Sequence, residues 1–87
     1  MKERDVVIGH PLGLHARAAA KLVQLSAKYR ASIVLLRDDS SHPTEADARS
    51  ILSILLLAAA HGSKLRVRAD GVDEDEALDR ICEYLAG

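Results

Sequence analysis

Residues 64–70 (KLRVRAD) alternate strictly, Leu65, Val67 and Ala69 interleaving with Lys64, Arg66, Arg68 and Asp70. A period of two with one apolar set predicts a strand that buries one face and wets the other. Residues 4–8 (RDVVI) and 32–36 (SIVLL) are short runs rich in β-branched and aliphatic side chains, the composition of strands. Ala16 to Ala27 (ARAAAKLVQLSA) instead collects strong helix formers, with Ala19, Leu22, Val23 and Ser26 on one stripe at helical spacing. A closing helix is predicted over Asp73 to Leu85. Four acidic residues open it, where the helix dipole favours them, and Ala77, Leu78, Ile81, Cys82 and Leu85 share one face.

Between these segments, Asp38 to Pro43 (DDSSHP) has the composition of a turn-rich loop and Thr44 to Asp47 fits a short edge strand. Ser50 to Leu57 (SILSILLL) reads as a helix that Gly62 ends. The resulting order is β-α-β-β-α-β-α. A chain of 87 residues is one small domain, residues 1–87, with material for a single core. Three helices cannot cover both faces of so small a sheet. The expected fold class is therefore α+β, a four-stranded antiparallel sheet with three helices on one face.

Composition narrows the partners. Charge is close to balanced, 12 Lys+Arg against 13 Asp+Glu, but residues 1–37 hold seven basic and two acidic side chains and residues 38–87 five and eleven. A positive surface is expected on the amino-terminal half. With no Phe, no Trp and only Tyr29 and Tyr84, the chain offers few platforms for stacked bases, and no nucleic-acid partner is expected. The single Cys82 cannot close an internal disulfide, and Met1 to His10 lacks the apolar core of a signal peptide. No apolar run reaches spanning length, the longest being Ile54 to Ala60. A cytoplasmic monomer without membrane insertion is expected. His10, His42 and His61 have no metal-ligand spacing, so neither a metal nor another cofactor is expected.

A helix that begins at Ala16 puts His15 at its N-cap, where Ser, Thr, Asp or Asn would ordinarily accept a bond from a first-turn amide. Positions that break a local rule are often functional. Unpaired N–H groups and the positive end of the helix dipole make this boundary an anion site. A neutral imidazole there has a nitrogen lone pair able to attack phosphorus, and Arg17 supplies a forked donor for phosphate oxygens. Nucleophile, cradle and counter-charge thus lie within three residues. The helix from Ser50 to Leu57 is apolar nearly all round, so the sheet can bury only one side of it and the rest forms a patch. Arg17, Lys21, Arg49 and Lys28 are the basic residues expected to rim that patch and steer an acidic partner.

The stretch Gly13-Leu14-His15-Ala16-Arg17, followed by Ala19-Ala20 and Leu22-Val23, closely resembles the active-site segment of the HPr family, the histidine-containing phosphocarriers of the bacterial phosphotransferase system. The likeness continues in ARSIL (Ala48 to Leu52), in Gly62 and in ADGVDEDEAL (Ala69 to Leu78), and so covers essentially the whole chain. The resemblance implies an open-faced β-sandwich and a carrier, not an enzyme. By the same resemblance His15 takes a phosphoryl group from phosphoenolpyruvate-charged enzyme I and passes it to IIA proteins, with Arg17 helping to hold it. Ile51, Leu52 and Leu55 match the family's docking positions, and Ser50 matches a serine that an ATP-dependent kinase modifies in some relatives. Alanine at position 18, where many relatives have proline, resembles the nitrogen-related branch and several proteobacterial carriers. That likeness leaves sugar uptake and regulation both open. The alternative implied by the family is a regulatory or adaptor domain acting mainly through docking.

Overall fold

The alternating strand predicted at residues 64–70 lies inside the sheet and pairs on both sides. In the computed structural model, which describes residues 1–37 and 44–87, the elements are β1 (Lys2–Val7), α1 (Ala16–Ser26), β2 (Ser32–Arg37), β3 (Thr44–Asp47), α2 (Ile51–Leu57), β4 (Lys64–Asp70) and α3 (Glu74–Ala86). The Asp38 to Pro43 loop reading lies outside the described residues. The strands pair in the order β1-β4-β2-β3, all antiparallel. Leu65, Val67 and Ala69 are buried under the helices, as their period of two requires, and Ile33 and Leu35 of β2 join them. On the helical side α3 lies over β1 and β4, α2 over β3, and α1 between the other two helices. Ala18, Ala19 and Leu22 from α1, Ile54 and Leu57 from α2, and Ala77, Leu78, Ile81 and Leu85 from α3 complete one core.

Two boundaries differ from the pattern reading, each for a physical reason. β1 starts at Lys2, and Ile8 lies beyond its end, buried. Lys2 hid the start of this edge strand because it occupies, as Arg4 does, a position of the helical face. There Arg4 pairs with Asp79 of α3 at 2.8 Å and Lys2 pairs with Asp75. Charged side chains can occupy the inward face of an edge strand when a polar flank of a helix receives them. The second difference is that α2 stops at Leu57, well before Gly62. Ala58 turns left-handed there, with φ +53, and the Arg37 guanidinium donates to the carbonyls of Leu57 at 2.8 Å and Ala58 at 3.0 Å. The free carbonyls of this helix end are thus satisfied by a side chain from the sheet.

Candidate functional site

His15 stands at the N-cap of α1 with extended backbone, φ −75 and ψ 179. Its carbonyl accepts the Ala19 amide at 2.8 Å, the first intrahelical bond, and its ring Nδ1 accepts the Arg17 amide at 3.3 Å. Imidazole does cap this helix, but with a long bond that an incoming anion can displace. The Ala16 and Ala18 amides have no intrahelical partner by the geometry of any α-helix. Nδ1 therefore faces the positive end of α1, and whatever is bonded to it meets first-turn N–H groups. The ring is half-buried; the Arg17 side chain is exposed and makes no hydrogen bond or ion pair among the described residues. Lys21 follows four residues later, exposed on the same flank of the helix.

The chain reaches His15 through a turn that rests on the far end of α2. The Gly13 amide donates to the His10 carbonyl at 2.9 Å, and the Leu14 amide to the Ala59 carbonyl at 3.0 Å. Only glycine fits at position 13: φ is +68, and a Cβ there would lie 2.5 Å from the Ala59 oxygen. Contact between Leu14 and Ala59 puts the C-terminal end of α2 beside the N-terminal end of α1. The exposed arc of α2 is continuous, formed by Ile51, Leu52 (67% exposed), Leu55 and Leu56 (70% exposed), while Ile54 and Leu57 face the core. Leu56 was not among the expected docking residues. Helical spacing could have found it, because it falls one turn after Leu52.

The expected basic rim divides into two. Arg17 and Lys21 lie near His15, whereas Arg49 sits at the opposite end of α1, a helix of 11 residues and about 16 Å. There its guanidinium donates to the Tyr29 carbonyl and, at 3.0 Å, to the Ala31 carbonyl, so Arg49 ties the start of α2 to the chain leaving α1. Lys28 is exposed at that same far end. Ser50 is the N-cap of α2 and its Oγ accepts the Ser53 amide at 3.2 Å. It is separated from the His15 loop by the seven residues of α2, about 10 Å along the axis. Of the remaining histidines, His61 is exposed, His10 is half-buried against Tyr84, and His42 lies outside the described residues. No His, Cys, Asp or Glu cluster suited to a metal occurs among the described residues, and no described helix is long and apolar enough to cross a membrane.

Comparison with known proteins agrees with this geometry. The family described as "PTS HPr component phosphorylation site" matches residues 2–87. A phosphocarrier protein HPr of Xylella fastidiosa strain 9a5c is 42% identical over 83 residues, covering 95% of this chain and 89% of that protein. A phosphocarrier protein NPr of Shewanella violacea is 40% identical over 80 residues, covering 92% of this chain and 84% of that protein. Among solved structures, a phosphocarrier protein HPr from Bacillus anthracis superposes with a TM-score of 0.87 at 31% identity, over 97% of this chain and 95% of that one. These relatives are carriers rather than enzymes. A matched family model over nearly the full length, on the expected fold, places this chain in the HPr family of phosphotransferase-system phosphocarriers.

Proposed function

We propose that this protein carries a phosphoryl group on His15, received from phosphoenolpyruvate-charged enzyme I and delivered to IIA proteins in the cytoplasm, and that it does so as a monomer. The observation that carries the reading is the direction of the His15 ring, whose Nδ1 faces the N-terminal end of α1. On attack, the Nδ1 lone pair forms the new N–P bond while the bond between phosphorus and the donor breaks, its electron pair leaving with the donor. The phosphoryl oxygens then come within reach of the first-turn amides and of Arg17, whose side chain is uncommitted among the described residues. Such transfer depends on alignment and charge stabilisation, which a presented ring and fixed donors supply without a metal or other cofactor on this chain.

Ile51, Leu52 and Leu55, joined by Leu56, are the docking face for these partners, with Arg17 and Lys21 steering acidic surfaces toward His15. Arg49 acts in docking through the placement of α2, and Ser50 is the candidate site for a serine kinase at the far end of the same face. Relatives named HPr and NPr match at similar identity, and the chemistry common to both names is the reading adopted here. Incubation with enzyme I, magnesium and phosphoenolpyruvate should add one acid-labile phosphoryl group, mapped to His15 and absent from His15→Ala. Arg17→Ala should fold normally and accept the group about ten- to hundredfold more slowly. Label on His10, His42 or His61 instead would overturn the assignment.

A further inference from the structure

Tyr84 of α3 touches the chain on both sides of His15. On the approach, His10 Nε2 lies 2.7 Å from the Tyr84 carbonyl oxygen, and the two rings pack with centroids 4.8 Å apart and planes tilted by 49°. On the exit, the Tyr84 hydroxyl donates to the Ala18 carbonyl at 3.2 Å. A carbonyl oxygen only accepts, so His10 Nε2 is the donor and carries a hydrogen. The His10 carbonyl in turn receives the Gly13 amide, and the Gly9 amide donates to the Leu85 carbonyl at 2.9 Å. The fit is close: a Cβ on Gly9 would lie 1.7 Å from the Ala86 oxygen. The segment leading to the nucleophile is therefore fastened to the last turn of α3, at a distance in sequence of 74 residues.

We propose that His10 and Tyr84 are positioning residues for transfer at His15, fixing both flanks of the nucleophile against α3 so that Nδ1 meets phosphorus already aligned. The inference rests on the reading of His15 as phosphoryl acceptor. Among the described residues His15 has one side-chain hydrogen bond, the long one from Arg17, so its ring has little else there to orient it than the backbone on either side. A misplacement of the order of 1 Å at a reacting atom is enough to slow a reaction substantially. His10 and Tyr84 control that placement without touching the transferred group.

The test compares His10→Ala, His10→Gln and Tyr84→Phe with the native chain, in phosphorylation by enzyme I and in amide exchange of the free protein at Gly13 and Leu14. His10→Ala should remain folded and slow the rate at saturating carrier by about tenfold, with the half-saturating concentration unchanged. Gln, whose amide nitrogen can donate to the same carbonyl, should restore most of the rate. Tyr84→Phe, which deletes only the arm to Ala18, should slow it by less. Exchange at Gly13 and Leu14 should quicken in His10→Ala and recover in His10→Gln. Native rates and native exchange in His10→Ala, or a Gln variant no better than Ala, would overturn the pair's role. If the native chain itself takes no label, the reading of His15 fails, and exchange alone decides the positioning: faster exchange in His10→Ala supports it and unchanged exchange overturns it.

Discussion

Among the described residues, Ser26 alone buries a side-chain oxygen with no hydrogen-bond partner. The residue is fully buried on the core face of α1, at its last helical position. An unpaired buried hydroxyl is a net cost, and alanine removes it while fitting the same space and the helix better. Ser26→Ala should therefore raise stability by about 1 kcal/mol, read as a higher urea midpoint with an unchanged slope. The same scale shows why the site was partly legible in sequence. Capping is a local affair, so an ill-suited residue at the start of a helix marks itself, and with Arg17 two positions of the candidate site could be singled out directly. His10 carried no such mark, since its partner Tyr84 is brought to it only by the fold. Arg49 was expected in a basic rim beside the apolar patch, whereas its hold on the Tyr29 and Ala31 carbonyls depends on how α1 and α2 align and was not legible locally.

Hydrophobic period marked β4, α1 and α3, each with one buried face, while β1 and β2 were read from composition; period failed where side chains other than apolar ones fill the inward face, as with Lys2 and Arg4 on β1. Strand order was not legible, because nothing local states which strand lies on which side of β4. For α2, period alone left open which of its many apolar residues face outward, whereas the family resemblance pointed to Ile51, Leu52 and Leu55. Ile54 and Leu57 are buried, and the other four apolar side chains form the exposed arc. A charge at Leu52 should then leave the free protein folded, with a melting temperature close to native, yet weaken enzyme I binding by several kcal/mol through burial of an unpaired ion in the complex. Leu52→Glu, compared by calorimetric unfolding and by titration with enzyme I, checks both halves. Unfolding of the free variant would place Leu52 in the core instead.

Across the whole molecule, the turn at residues 29–31 is held from two directions. Asp73, at the start of α3, accepts the Arg30 and Ala31 amides at 2.8 Å each, while Arg49, before α2, donates to the Tyr29 and Ala31 carbonyls. The amide of Arg30, followed by that of Ala31, keeps the Asp73 carboxyl below its ordinary value, although partial desolvation opposes them. A carboxyl depressed in the folded state contributes stability above its unfolded pKa, and that contribution is lost as pH falls through the lower folded value. Asp73→Asn retains one acceptor but turns an amide donor toward an N–H group. Its urea midpoint should be lower than native at neutral pH and should fall less between neutrality and about pH 3. Another long-range tie governs α2, whose seven residues are too few to persist as an isolated helix and whose last carbonyls are completed by Arg37 from β2. The exposed arc of α2 is consequently part of the same cooperative unit as the sheet. A protease that favours leucine should find four apolar side chains displayed on α2 and still cut there no faster than the whole chain opens, because cleavage needs the helix unwound. Replacing Arg37 by Met should separate the two events, with nicking inside α2 preceding global unfolding. The surface proposed to receive partners would then also be the first to be digested.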